Sequence, residues 1–281
     1  MKNITRTLGA LALFAIVTPT HGIDGRIEIN QAKMLAGGVT PGDFPGLPVS
    51  IGQPGSYVLT SNLDLSVDPN SPNLAAIHIN ADGVSLDLNG FEIRGTTTCT
   101  GVGATLVCTP TGMGYGIFVQ GNGARVHGGS IRGIGGVGIY ESNLGLGEYW
   151  ELAVSQCGAG GIDVNGTVRA AHVDHNQGVG ILTDWAGSVL DSYSSGNLLR
   201  GISTSAAVVR GNIASENGGI GIESFSSSVI DCISAFNGGV ELWLSGCSWG
   251  GNTLSGCGGP CVTSAGSVQV GANNCAGVAC P

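Results

Sequence analysis

Charge is scarce in this chain: only 10% of its 281 residues are Asp, Glu, Lys or Arg. A disordered chain of low hydrophobicity would carry many more, so the scarcity argues for a packed fold. Lysine is nearly absent, with Lys33 the only one after residue 22. The formal net charge is −9, which makes nucleic acid and anionic membranes poor partners. Past the N-terminus no run of 18 apolar residues occurs, so no transmembrane segment is expected. No cysteine precedes Cys99, which leaves no thiol for lipid attachment near the start. Proline is too sparse for collagen, although glycine is abundant at 51 residues without a three-residue period.

Residues 1–22 read as a signal peptide. Lys2 and Arg6 precede the apolar run Leu8 to Val17, and Thr20 and Gly22 are small residues near a cleavage point. Ten residues are too few to span a bilayer. The expected location is therefore secreted or periplasmic, after cleavage near Gly22. Nine cysteines in an exported chain imply disulfides, with the odd count leaving one over.

Self-similarity at short period is the strongest signal. Asn176, Asn197, Asn217 and Asn237 are separated by 21, 20 and 20 residues, and Cys157 and Cys257 continue the column. Five residues after each stands an apolar residue: Ile162, Ile181, Ile202, Ile222, Leu242 and Val262. Twenty residues cannot hold a strand, a helix and a returning strand, but they can hold one turn of a solenoid whose strands pair in parallel about 4.8 Å apart. The asparagines are expected to stack at one corner as a structural ladder, where tolerance of left-handed backbone is useful. Upstream, Ile77 to Gly95 is echoed by Ile117 to Gly133, both ending Ile-Arg-Gly, with an insertion from Thr96 to Gly114 between them.

The segments Pro54-Gly-Ser-Tyr-Val-Leu-Thr-Ser-Asn-Leu63 and Gly83-Val-Ser-Leu-Asp-Leu-Asn-Gly90 resemble bacterial right-handed parallel β-helix repeat proteins of the pectate-lyase-like superfamily. The resemblance covers nearly the whole chain after residue 22. It implies an all-β, right-handed parallel β-helix of about nine to ten coils. It also brings in a superfamily that includes polysaccharide lyases, hydrolases and epimerases beside proteins of unassigned role. The expected organisation is a signal peptide over 1–22, an N-terminal cap and leading strand over 23–56, and the β-helix over 57–281, with the 96–114 insertion and a Cys-rich C-terminal end. Glu28 to Ala36 should form a short capping helix.

Cys99 and Cys108 should close a local loop. Cys257 and Cys261 are offset from Cys275 and Cys280 by nearly one coil, which favours Cys257–Cys275 and Cys261–Cys280 bridges, with pairing inside each set as the alternative. Cys157 in an Asn position would be an inert buried thiol.

Chemistry has several candidate places. His172-Val-Asp-His175 groups Asp174 and His175 as a proton-transfer pair and is only a partial match to the Val-Trp-Ile-Asp-His motif of pectate lyases. His172 shares a column with Tyr193, Ile213 and Ile233 and is expected to pack inward. The multi-aspartate, Asn-Thr-Asp and Asp-Pro-His-Asp signatures of the lyases, hydrolases and epimerases do not occur.

A surface is a further candidate. Residues one past the core isoleucines, namely Tyr140, Asp163, Leu182, Ser203, Glu223 and Trp243, should face outward. Beside them runs the row Gly161, Gly180, Gly201, Gly221 and Glu241, expected to form the flat floor of a sugar groove. Tyr140, Asp163, Glu223 and Trp243 are the expected ligand contacts, with Asp163 and Glu223 as further candidate acids. Those two lie three coils apart, about 14 Å by strand spacing, too far for a glycosidase pair. Solvated strand positions are the plainer reading of the row.

No cofactor is expected. Calcium has no supporting constellation, because Asp191 and Asp231 alternate with Arg169 and Arg210 in a pattern of charge balance. The leading function is binding, extending to processing, of extracellular or cell-wall polysaccharide. The rival is a non-catalytic structural or adhesive surface solenoid. Whether the chain is an enzyme is left open by the sequence.

Overall fold

The computed structural model describes residues 25–185 and 187–280, so the signal peptide reading lies outside the described residues. The chain is a right-handed parallel β-helix. A ten-stranded parallel sheet takes one short strand from each coil, from Val49–Ile51 to Val262–Ala265. Its register matches the apolar column: Ile162, Ile181, Ile202, Ile222, Leu242 and Val262 are consecutive partners. All but Val262 are fully buried.

The other two sides of each coil belong to one bent sheet. Arg125–Arg132 and Glu148–Ser155 run unbroken around the bend, while later coils divide there, as into Thr167–Arg169 and His172–Asp174. At the N-terminal end, Asn30 caps the helix Gln31–Ala36 by accepting from the Lys33 N–H at 2.9 Å, and Met34 is buried against the first coil.

Three corners are turned in the same way. Each uses one left-handed residue, forming the columns Gln156, His175, Gly196, Glu216 and Phe236; Ala170, Asp191, Gly211 and Asp231; and Trp185, Ala206, Ser226 and Gly246. At most of these positions the next residue along is buried, and its side chain accepts a hydrogen bond from its counterpart one coil earlier. Asn197 Oδ1 accepts from the Asn176 N–H, and Asn217 Oδ1 from the Asn197 N–H, at 3.0 and 3.1 Å. A second ladder contains Ser192, Asn212, Cys232 and Asn252, and a third Ala207, Ser227 and Cys247. The left-handed strain therefore falls on the residue before each asparagine, and the asparagines themselves point into the core. Cys157, Cys232 and Cys247 are free thiols at ladder positions.

The glycine row also points inward, contrary to the groove-floor expectation. A Cβ on Gly180 would stand 2.1 Å from Ser194 Oγ and 2.6 Å from Asn197 Nδ2, and one on Gly201 would stand 2.6 Å from Asn217 Nδ2. The asparagine ladder fills the space that side chains would need. His172 is corrected as well. In the three-residue strand His172–Asp174 the middle residue, Val173, faces the core, so the column of His172, Tyr193, Ile213 and Ile233 faces outward.

The C-terminal bridges are the local ones, Cys257–Cys261 and Cys275–Cys280, rather than Cys257–Cys275 and Cys261–Cys280. Register explains the difference. Cys275 pairs along the sheet with Leu254, 21 residues earlier, and not with Cys257; the chain then turns back antiparallel and brings Cys280 to Cys275. Within the insertion, Thr98–Thr100 and Val107–Thr109 form an antiparallel hairpin closed by Cys99–Cys108. This strap lies on a corner: the Gly103 N–H donates to Gly196 O at 3.0 Å, and the Cys108 N–H to Gln177 Oε1 at 2.7 Å.

Candidate functional site

Residues one past the inward column of the ten-stranded sheet project outward, because side chains alternate across a strand. Pairing places them in one row: Ser50, His78, Phe118, Tyr140, Asp163, Leu182, Ser203, Glu223, Trp243 and Thr263. Strand spacing brings aromatic neighbours in such a row to stacking distance. The His78 and Phe118 rings stack at 4.6 Å with 19° between planes, and Tyr115 stacks on both Phe118 and Tyr140 at 5.1 Å. His78 Nε2 meets Gln120 Oε1 at 2.8 Å.

The stack ends at Tyr140. Its partner in the next coil is Asp163, which has no ring to cover it. Asp163 is half-buried, and its side chain makes no hydrogen bond or ion pair among the described residues. Its carboxyl is pushed up to about 6, first by burial and then by the charge of Asp184. The Tyr115 hydroxyl is also pushed up, by burial and by the nearby Tyr140 and Asp163. Tyr115, Tyr140, Asp163 and Asp184 thus converge at one end of the aromatic stack.

Next to Asp184 stands Trp185, 69% exposed and left-handed at φ 54°. The same corner carries Ala206, Ser226, Gly246 and Gly266 in the following coils. A bulky residue in this backbone region costs on the order of 1–3 kcal/mol, and such outliers concentrate at binding surfaces. In the coils that follow, the left-handed residues of this corner are small.

Farther along the row, Glu223 is committed to structure. It is 7% exposed, and its Oε2 receives Arg200 Nε at 2.8 Å and Ser203 Oγ at 2.9 Å. A shallow depression lined by Leu199, Arg200, Gly219 and Ile220 adjoins it. Trp243 packs edgewise against Phe225 at 4.9 Å.

The Asp174–His175 pair sits on another corner. His175 Nδ1 meets Asp174 Oδ2 at 2.7 Å, and His172 Nε2 lies 3.6 Å from Asp174 Oδ1. The strap reaches this corner, since Val102 and the His175 ring both lie against Gly196. The candidates therefore fall into three places: Tyr140 with Asp163, Glu223 with Trp243, and Asp174 with His175. Among the described residues no group of three His, Cys, Asp or Glu side chains is arranged to hold a metal, and no helix is long and apolar enough to cross a membrane.

Sequence reasoning missed Tyr115, Phe118 and His78. The alignment of Ile77 with Ile117 placed His78 opposite Phe118, so the signal was present. A fourth ring, Trp150, lies on a different side between His127 at 4.3 Å and the Arg169 guanidinium at 4.9 Å, with no open face.

No family model matches the chain, and no curated protein matches it in sequence. Solved structures do share its fold. The Dettilon tailspike protein is 12% identical with a TM-score of 0.50, over 78% of this chain and 57% of the tailspike; this chain spans little more than half of that protein. The A-module of Azotobacter vinelandii mannuronan C-5 epimerase AlgE4 is 12% identical with a TM-score of 0.45, over 80% of this chain and 87% of the module. At such identities the likeness is one of fold.

Proposed function

We propose that the protein binds a polysaccharide chain along its ten-stranded face, with one sugar seated against Tyr140. The observation that carries this reading is the end of the aromatic stack, where a part-exposed tyrosine ring, with no ring in the next coil, stands beside a carboxylate without a protein partner. Sugar rings offer CH faces to aromatic rings and hydroxyls to carboxylates. Continuing the stack by one ring satisfies both. The straight sheet extends the contact to further sugars toward Glu223 and Trp243.

Binding without turnover is the reading that the surroundings favour. From Cys157 onward the coils are short and uniform, and the strap leaves the face open. Asp163 is a weak acid able to hold a proton near neutrality, which is the one feature that would serve processing. Three disulfides support a secreted or periplasmic location.

The test is a binding and turnover screen of the purified protein against neutral, acidic and amino-sugar glycans, with and without calcium. Tyr140→Ala and Asp163→Asn should each weaken binding roughly tenfold or more, whereas His175→Ala on the other corner should leave it unchanged. Silence across the panel, or full affinity in Tyr140→Ala, would overturn the reading. Depolymerisation or epimerisation that Asp163→Asn abolishes would extend it to an enzyme.

A further inference from the structure

The charges around Tyr140 narrow the class of sugar. The basic side chains near this face are already engaged: Arg200 is held by Glu223 at 2.8 Å, and the His78 ring is tied to Gln120. Asp82 at the neighbouring corner accepts from the Asn122 N–H at 2.7 Å. Asp163 and Asp184 have no such partners among the described residues; register sets Leu182 opposite Asp163 and Thr183 opposite Val164, so Asp184 follows on the adjacent coil, where the charge of one bears on the other. A uronate placed here would add a third negative charge beside half-buried Asp163 and exposed Asp184, which like-charge repulsion opposes.

An ammonium group reverses the sign of that interaction. It would sit between the two carboxylates, and it is also attracted to the faces of tyrosine and tryptophan rings. Tyr140 is part-exposed with no ring beyond it on the Asp163 side, and exposed Trp185 directly follows Asp184 in the chain. The ring-stacking surface and the counter-charge lie on adjacent coils of the same face.

We propose that the sugar seated against Tyr140 carries a free ammonium group, so that the preferred ligand is a glycan of N-unsubstituted amino sugars rather than a uronate or a fully N-acetylated chain. This rests on the glycan-binding reading above and specifies its ligand. Trp185 is the specificity-determining aromatic beside the acidic pair.

Four probes of equal length separate the possibilities by calorimetry: glucosamine oligomers, the same oligomers N-acetylated, neutral glucose oligomers and galacturonate oligomers. The glucosamine oligomers should bind roughly tenfold more tightly than their N-acetylated form, with an advantage that shrinks as salt is raised. An Asp163→Asn/Asp184→Asn double variant should lose that advantage, weakening the glucosamine oligomers more than their N-acetylated form, and Trp185→Ala should reduce it. Equal binding of the two amino-sugar forms, or stronger binding of galacturonate, overturns the ammonium proposal and leaves glycan binding intact. Failure of all four probes to bind overturns both.

Discussion

Glu241 closes the asparagine ladder by folding its carboxylate back onto Asn237: Oε1 accepts from the Asn237 N–H at 3.2 Å, and Oε2 accepts from Ser234 Oγ at 2.7 Å. In each earlier coil that N–H is taken by the asparagine of the next coil, but the next position here is Cys257, engaged with Cys261. A glycine stands in this row at 161, 180, 201 and 221. The change to glutamate at 241 supplies the acceptor that the ladder lacks. The carboxylate is fully buried, so its hydrogen bonds are what make its burial tolerable.

Glu241→Ala should accordingly cost about 2–3 kcal/mol, because it leaves buried donors of Asn237 unpaired. Asn217→Ala in mid-ladder should cost at least as much, since it removes bonds on both sides. Glu241→Gln should recover most of the loss by keeping an acceptor oxygen. Urea denaturation measures all three; an unchanged midpoint in Glu241→Ala would refute a capping role.

Gly201→Ala tests the inward direction of the glycine row. The added methyl would meet Asn217 Nδ2 at 2.6 Å and Gly221 O at 2.8 Å, and backbone oxygen cannot swing aside. Overpacking of this kind costs about 1–3 kcal/mol. A groove-floor glycine would accept the methyl at no cost, so a neutral midpoint would restore the outward reading.

Periodicity carried the fold in the sequence, and its breaks account for what stayed hidden. The column from Ile162 to Val262 and the asparagines from 176 to 237 recur every twenty residues or so, which is enough to establish parallel coils and their register. Direction at the corners was less legible. Alternation assigns faces within a strand, but a left-handed residue resets it, so Gly180 and Asn197 both turn into the core. Apolar identity misled at His172, because Ile213 and Ile233 in its column are 36% and 43% exposed. Within the site, Tyr140 and Asp163 were readable as a row, while Tyr115 and Phe118 lay behind the 96–114 insertion that interrupts the repeat. The second and third ladders were available at the same spacing, as Asn212, Cys232 and Asn252 show.

Cysteine chemistry offers a direct check on those ladders. Burial pushes the Cys157 thiol up to about 12 and Cys232 up to about 11, so almost no thiolate exists near neutrality. A thiol reagent should find no reactive cysteine in the native protein and three after denaturation without reductant. Peptide mapping of the unreduced protein should recover Cys99–Cys108, Cys257–Cys261 and Cys275–Cys280. A peptide joining Cys257 to Cys275 would contradict the register of the last coil.

The half-buried carboxyl of Asp163 ties stability to pH. Its folded value of about 6 lies above that of an unfolded aspartate, near 3.9, so folding favours the protonated form. Below the unfolded value both states are protonated and the residue costs nothing. As pH rises toward 6 the unfolded chain ionises more readily than the folded one, and the penalty grows; above about 6 it is complete. Asp163→Asn removes the ionisation and should stabilise the protein near pH 7 by on the order of 1 kcal/mol, allowing for partial solvent screening, with no gain near pH 3.5. Melting temperatures across this range give the answer. If Asp163→Asn is less stable than the parent at neutral pH, the carboxylate has a stabilising partner, and the unpaired acid on which the sugar site depends does not exist.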